Sequence, residues 1–180
     1  MTTVFTIGHS TRPAAELVSV LSDAGVAWVL DVRRYPSSRR HPQFNREALA
    51  TALREAGIEY RHLPELGGRR EPLPDSPNTG WREAGFRGYA DHMCTVPFRL
   101  ALTELSALAA TEPCALLCAE ADWRNCHRGL IADALKLRGF DVVHLTDAGR
   151  REPHPWTAPA RVVDGQLSYA PELAQRSLDL

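Results

Sequence analysis

The chain has 180 residues, 44% of them hydrophobic, and 21 basic side chains nearly balance 22 acidic ones to give a formal net charge of −1. This length and apolar content suit one folded domain and exclude a disordered chain. There is no run of about eighteen apolar residues and no basic, then apolar, signal-like start, so we expect a cytoplasmic protein without a membrane contact. The near-zero charge also argues against a globally basic nucleic-acid-binding surface.

The first third of the chain alternates apolar runs with amphipathic segments, and Thr11 and Asn45 are the expected N-caps of its two helices. In chain order, the pattern predicts a strand at Val4–Ile7, a helix at about Pro13–Ala24, a strand at Val26–Val32, a helix at about Arg46–Ala56 and a strand at Ile58–Leu63.

A loop rich in proline and glycine, Pro64–Gly80, follows, and its composition leaves open whether it is an ordered lid or a disordered stretch. The rest of the pattern predicts helices at Phe86–Cys94 and Phe98–Ala110 broken at Pro97, a strand at Ala115–Cys118, a helix at Arg128–Leu137, a strand at Phe140–Leu145, and a hairpin at Arg161–Leu167 that turns at Asp164-Gly165.

Strands that alternate with helices are typical of α/β proteins. We therefore predict a three-layer, Rossmann-like sandwich around a mainly parallel sheet of about five strands. The compact core is expected to span residues 1–149, and residues 150–180 form a C-terminal extension that packs on it or is partly irregular.

Unusual polar residues follow the ends of several predicted strands. In an open parallel sheet these ends share one edge, where helix N-termini also point, so ligands bind there. Each residue alone could serve as a helix cap or a buried ion-pair partner, but together they predict one shared site. The residues are His9, Ser10 and Arg12 after the first strand, Asp31 and Arg33 at the second, Cys118 and Glu120 after the fourth, and Cys126, His127 and Arg128 at the start of a helix.

The segment from Arg33 to Arg46 holds five arginines and His41 but no acidic residue. Such a loop attracts phosphate, carboxylate or a nucleic-acid backbone, although a merely solvated loop would look the same. All but one of the 21 basic residues are arginine, the exception being Lys136. Genome composition explains such a bias, but the guanidinium is also well suited to bidentate anion binding.

Two cysteines are candidate nucleophiles. Cys118 and Arg124 have the C-x5-R spacing of cysteine phosphatases, but Glu120 and Asp122 lie between them and would repel a phosphate, so we reject that class. Cys126 is the better candidate because it precedes a helix and neighbours His127 and Arg128. Since adjacent residues at a helix start do not normally face each other, we expect His9 to be a better base than His127.

Metal and cofactor motifs give little support for other classes. His9, Cys126 or His127 with Glu120 or Asp31 would offer acceptable metal ligands, but their spacing is not diagnostic and we assign no metal. The chain lacks GxGxxG, GxxxxGK[ST] and GxSxG, so neither a dinucleotide enzyme, a P-loop enzyme nor an α/β-hydrolase is indicated, and no cofactor is identified.

Several motifs in order, TIGHSTR, DVRRYPSSR with Phe44-Asn45, and LLCAE followed by CHR, resemble the bacterial and archaeal family called domain of unknown function 488. The resemblance runs from Thr6 to about Leu145 and implies a compact cytosolic α/β protein without a settled activity. The signature residues that it implies are His9, Ser10, Arg12, Asp31, Arg33, Pro36, Ser38, Arg39, Glu120, Cys126, His127 and Arg128.

Three functional readings remain. The first is a hydrolase or transferase for a small anionic or nucleotide-like ligand, with catalytic Cys126, Glu120, Asp31 and His9 and with ligand-binding Ser10, Arg12, Arg33, Ser38, Arg39, His127 and Arg128. The second is a non-catalytic module that binds nucleic acid or a nucleotide through Arg33–Arg46. In the third, Arg33 and Arg128 simply pair with Asp31 and Glu120. The oligomeric state is left open.

Overall fold

A six-stranded, mainly parallel sheet forms the centre of the computed structural model, which describes residues 2–146 and 150–171. Its strands are β1 (Thr3–Gly8), β2 (Trp28–Asp31), β3 (Glu59–His62), β4 (Cys114–Cys118), β5 (Asp141–Leu145) and β6 (Arg151–Pro153), in the spatial order β3-β2-β4-β1-β5-β6. The first five strands are parallel, and β6 runs antiparallel to β5.

Five helices in the described residues cover the two faces of this sheet: α1 (Ala14–Asp23), α2 (Arg46–Glu55), α3 (Ala84–Met93), α4 (Val96–Ala109) and α5 (Arg128–Leu137). Leu116 of β4 packs with residues of α3, α4 and α5, whereas its neighbour Leu117 packs with residues of α1 and α2. All of β4 is buried because helices lie above and below it. The predicted three-layer α/β fold is therefore confirmed.

Two helix starts differ from the predicted capping. The N-cap of α1 is Pro13 and not Thr11, whereas Asn45 occupies the predicted N-cap position of α2 but its side chain makes no cap hydrogen bond. Its Oδ1 instead accepts a hydrogen bond from the backbone N–H of Ser38 at 2.6 Å.

Pro97 does not mark the break between α3 and α4. It lies in the first turn of α4, where a missing N–H costs no helix hydrogen bond, and Thr95 caps that turn.

The segment Pro64–Gly80 is held against α3, which excludes the disordered alternative. The buried carboxylate of Asp91 accepts hydrogen bonds from Leu73 N at 2.9 Å, Ser76 Oγ at 2.7 Å and Asn78 Nδ2 at 2.8 Å. One acidic side chain thus satisfies three donors of a chain segment that has almost no regular structure of its own.

The C-terminal extension packs on α5 and on the edge of the sheet. It contains β6 and a hairpin of β7 (Arg161–Val163) and β8 (Gln166–Ser168), which turns at Asp164 and Gly165 with positive φ angles of 49° and 74°, as predicted. The expected boundary at residue 149 and the end of the extension lie outside the described residues. Among those described, no helix is long and apolar enough to cross a membrane.

Candidate active site

A cleft of about 510 Å³ opens at the carboxyl edge of the sheet, where β1, β2, β4 and the start of α5 meet. Of the predicted site residues, those that line it are His9, Arg33, Ser38, Cys118, Glu120, Cys126 and His127. The others, Ser10, Arg12, Asp31, Arg39 and Arg128, are not among its lining residues. The cleft therefore brings together seven of the twelve predicted residues.

Cys126 lies at the floor of this cleft with only 3% of its surface exposed. Its Sγ accepts a hydrogen bond from Arg128 Nε at 3.3 Å and lies 3.8 Å from His127 Nδ1. Burial alone would raise the pKa of the Cys126 thiol, but the neighbouring Cys118 thiol and the charges of Arg128 and His127 outweigh it and lower that pKa well below the usual value. These neighbours therefore favour the thiolate form of Cys126.

His127 contacts Cys126 directly, which corrects the expectation that the two side chains point apart. Cys126 still has extended backbone (φ −136°, ψ 143°), and helical angles begin only at His127, so the two side chains are not fanned around a helix. His127 Nε2 lies 2.9 Å from the carbonyl oxygen of Val32 and must donate to it, which turns Nδ1 toward the sulfur. Burial would lower the pKa of His127, but the neighbouring Cys126 sulfur outweighs it and raises that pKa above its usual value, which favours the imidazolium form.

Cys118, the last residue of β4, is a second thiol beside the first. It donates a hydrogen bond to Glu120 Oε2 at 3.0 Å. The neighbouring Cys126 sulfur, then burial and the charge of Glu120, raise the pKa of Cys118 well above the usual value. The pKa values of the two cysteines are therefore shifted in opposite directions.

The same atoms are the only candidate metal cluster found among the described residues. The two Sγ atoms and one ring nitrogen of His127 lie within 4.8 Å of one another, whereas His9 and Asp31, which were also considered, do not join them. Two thiols and an imidazole suit a thiophilic ion. Cys126 Sγ also accepts a hydrogen bond from Arg128 Nε at 3.3 Å, and His127 Nε2 donates to the carbonyl of Val32, so Nδ1 is the ring nitrogen that could face an ion.

Asp31 and Arg33 form a buried ion pair behind the cleft wall. The carboxylate accepts from Arg33 Nε at 2.9 Å and Nη2 at 2.6 Å, and also from the Tyr60 hydroxyl at 2.7 Å. Arg33 Nη1 donates to the carbonyl of Phe44 at 2.8 Å. The purely structural pairing predicted for Arg33 and Asp31 is thus present. It is not present for Arg128, which donates to the backbone carbonyl of Glu120 rather than to its carboxylate.

His9, predicted as a base, lines the same cleft as Cys126 and is held by three neighbours. Its Nδ1 donates to the carbonyl of Ser10 at 2.8 Å, its ring stacks on Phe44 at 4.3 Å, and its Nε2 lies 3.4 Å from Arg33 Nη1. Burial, with a smaller effect from the charge of Arg33, lowers the pKa of His9 to about 4. Two of these neighbours, Arg33 and Phe44, belong to the Arg33–Arg46 segment.

The rim of the cleft is basic and aromatic. Arg34 donates to the carbonyl of Arg69 at 2.7 Å, and its guanidinium lies 5.4 Å from the ring of the exposed Tyr35. Arg39, predicted to bind a ligand, is exposed and lies outside the lining.

The wall of the cleft that includes Arg69, Phe86 and Tyr89 contains none of the residues predicted from the sequence. The Tyr89 ring packs at 5.0 Å from that of His127. This wall comes from Pro64–Gly80 and α3, whose approach depends on tertiary packing. The Gly67-Gly68 pair was the one local signal of a close approach in that region.

Fold and cleft together define an α/β protein with a buried cysteine–histidine–arginine cluster at the carboxyl edge of its sheet. The chain belongs to the family described as "Domain of unknown function DUF488", whose model matches residues 13–135 and confirms the resemblance. The matched segment contains Asp31, Arg33, Cys126 and His127, whereas His9 precedes it. No curated protein and no solved structure matches the chain.

Proposed function

We propose that the protein is a cysteine-dependent hydrolase or transferase that acts on a small anionic or nucleotide-like ligand. The observation that carries this proposal is the position of Cys126 Sγ, between Arg128 Nε at 3.3 Å and His127 Nδ1 at 3.8 Å on the floor of a cleft. A structural cysteine packs as a neutral apolar group and does not require two cations. A nucleophile does, because the thiolate is the reactive form.

The surrounding residues have distinct roles in this proposal. Cys126 attacks the electrophilic centre, and the protonated His127 supplies a proton to the leaving group. Glu120, exposed at the cleft, is the base for the water or acceptor that completes the reaction. Asp31 acts through Arg33, which it holds in place, and Arg128 acts on the thiolate.

Ligand binding falls to the basic and aromatic wall. Arg34 and Arg69 give the cleft positive charge for an anionic group, while Arg33 and His41 offer guanidinium and ring nitrogens and Ser38 adds a hydroxyl. Tyr35 and Phe86 offer faces on which a planar ring can lie. Arg39, outside the cleft, would reach only a ligand that extends beyond the rim.

The test is the pH dependence of thiol alkylation by iodoacetamide, located by peptide mass spectrometry. Cys126 should react with a midpoint well below the value of about 8.5 for an ordinary thiol. His127→Gln should raise that midpoint, because it removes one of the two cations. The exposed Cys94 of the same chain is the internal reference. A Cys126 thiol that reacts no earlier in the pH range than Cys94 would refute the proposal.

Turnover is tested with a screen of nucleotides and small phosphate and carboxylate esters. Any activity found should be lost in Cys126→Ser and strongly reduced in Glu120→Gln. Activity that survives in Cys126→Ser would show that the cysteine is not the nucleophile.

A second candidate function rests on the exposed arginines outside the cleft. Arg39 and Arg40 are exposed in a segment without acidic residues, as a nucleic-acid-binding module would require. Binding of a short oligonucleotide should then fall steeply with salt, weaken in the Arg39→Ala and Arg40→Ala double variant, and be unaffected by Cys126→Ser. Arg99→Ala, in another exposed region, is the control. An absence of binding at low salt eliminates this candidate.

A further inference from the structure

We propose that Cys118 and Cys126 form a reversible disulfide: a hydroperoxide oxidises Cys126, and Cys118 then closes the bond. The disulfide would remove the nucleophile and so switch the site off by oxidation. That regulatory consequence rests on the proposed function, whereas the disulfide itself does not.

The positions of the two sulfurs favour this bond. Their Sγ atoms lie within 4.8 Å of each other, and a disulfide requires about 2.05 Å. Cys118 ends β4, and Cys126 ends the short turn that follows, at Trp123–Asn125. Most residues between them are exposed, so this turn is the segment that would shift to close the remaining distance. Both sulfur-bearing residues line the cleft, which gives a small oxidant access.

The two cysteines have the unequal chemistry that a two-step oxidation needs. Arg128 Nε and His127 Nδ1 lie 3.3 and 3.8 Å from the Cys126 sulfur, and basic neighbours of this kind favour a nucleophilic thiolate. Cys118 instead donates its proton to Glu120 Oε2 at 3.0 Å, and a neighbouring carboxylate favours the thiol. The remaining free cysteines are elsewhere: Cys114 lies at the opposite end of β4, and Cys94 is exposed after α3.

In the first step, the Cys126 thiolate attacks one oxygen of the hydroperoxide, and the O–O bond breaks. The sulfur loses two electrons and becomes a sulfenic acid. The released hydroxide or alkoxide takes the proton of His127. The products are therefore a sulfenic acid, a neutral imidazole, and water or an alcohol.

In the second step, Cys118 passes its proton to the Glu120 carboxylate and attacks the Cys126 sulfur. The S–O bond breaks as the S–S bond forms, and the leaving hydroxide takes the proton from Glu120 to give water. Overall, two thiols and a hydroperoxide give a disulfide, water, and water or an alcohol. A dithiol reductant reverses the change.

The experiment uses the full chain with a metal chelator and hydrogen peroxide as the probe. The intact mass should fall by two hydrogen atoms, a peptide linking Cys118 to Cys126 should appear, and the free thiols should fall from four to two. Dithiothreitol should restore all of them. Peroxide treatment that oxidises Cys94 without yielding the linked peptide, or that links another pair, would overturn the proposal.

Two variants separate the steps. Cys118→Ser should stop the reaction at a Cys126 sulfenic acid, seen as a gain of one oxygen atom and trapped by dimedone, whereas Cys94→Ser should form the disulfide like the wild type. Glu120→Gln should leave the first step unchanged and slow disulfide closure by roughly tenfold or more, because Gln takes no proton. Unchanged closure in Glu120→Gln would remove the base role from Glu120.

The outcomes also distinguish this inference from the proposed function. Early alkylation of Cys126 without the disulfide overturns the inference alone. A Cys118–Cys126 disulfide in a protein whose Cys126 alkylates no earlier than Cys94 overturns the proposed function alone.

Discussion

Arg33 and Arg128 are both buried at the candidate site, yet their charges are balanced differently. Arg33 pairs with the carboxylate of Asp31, whereas the described partners of Arg128 are the Cys126 sulfur, the Thr6 hydroxyl and backbone carbonyls. A guanidinium that is 1% exposed needs a compensating negative charge. Within the described contacts of Arg128, the Cys126 thiolate is the group that can supply it.

At the residue scale, Asp31→Ala should destabilise the protein by about 3–5 kcal/mol, since Arg33 would remain buried without its partner. The free energy of unfolding in urea measures this loss. Glu104→Ala, which breaks an exposed pair with Arg61 of similar length, is the matched control and should cost less than about 1 kcal/mol. Equal losses in the two variants would contradict the assignment of Asp31 as a buried support.

At the scale of the elements, glycines let chain segments approach closely enough to form the cleft. A Cβ on Gly68 would lie 2.7 Å from His127 Nδ1, and one on Gly8 would lie 1.8 Å from the carbonyl oxygen of Glu120. The loop after β3 therefore packs directly against the His127 ring, and the turn after β4 packs directly against the backbone of β1. A side chain at either place would move the groups that surround Cys126.

Gly68→Ala tests this contact because the new methyl group must displace the His127 ring. We expect the Cys126 alkylation midpoint to rise, with about a tenfold lower rate at acidic pH for each unit of pKa regained. Gly85→Ala is the control: Gly85 lines the same cleft, but a Cβ there meets no atom within 4 Å. Identical midpoints for the two variants would show that Gly68 does not position His127.

At the scale of the whole molecule, a buried hydrogen-bond chain joins the site to the C-terminal extension. Thr6 Oγ1 lies 2.6 Å from His144 Nδ1, His144 Nε2 lies 2.9 Å from His154 Nδ1, and His154 Nε2 lies 3.0 Å from Asp133 Oδ1. Arg128 also contacts Thr6, at 3.5 Å. The extension is thus tied to the α/β core by polar groups that have no access to water.

Asp133→Ala should therefore be strongly destabilising. It leaves His154 and the hydroxyls of Thr157 and Tyr169 without their acceptor, each at a cost of about 1–3 kcal/mol. Urea unfolding should show a loss of at least about 3 kcal/mol, whereas Asp141→Ala, at an exposed position, should change little. A loss as small as that of the control would mean that the extension contributes little to stability.

Stability should also fall in acid because His144 is buried as the neutral imidazole. Burial, then the charges of His154 and Arg128, lower the pKa of His144 to about 2, while an unfolded histidine titrates near 6.5. Below about pH 6.5, unfolding lets His144 take up a proton. The contribution of the neutral imidazole to stability is therefore complete above that pH, and it is lost as the pH falls toward the pKa of His144 in the folded protein. Between about pH 6.5 and 5 the loss is about 2 kcal/mol.

The measurement compares urea unfolding of the wild type and His144→Gln across this range. The variant is expected to be less stable at every pH but to lose about 2 kcal/mol less on acidification. Parallel pH dependences would rule out His144 as a source of acid sensitivity.

The sequence predicted those strands and turns that are specified by residues close together in the chain. The continuous apolar run of β4 requires cover on both faces, and Asp164-Gly165 suits a tight turn in any context. β6 had no such signal: Arg151–Pro153 pairs because the edge of β5 is open to it. Whether a short polar segment becomes a strand depends on what lies beside it.

Strand and helix periodicity was enough to predict the α/β class and the edge of the sheet at which the polar residues lie, because parallel strands share one carboxyl edge. Which of these residues contact one another became clear only from the packing of the folded chain. In the folded chain, His127 faces Cys126, Arg128 contacts the Cys126 sulfur from outside the cleft, and Asp31 pairs with Arg33. These are matters of side-chain direction and burial, which depend on packing between segments far apart in the chain.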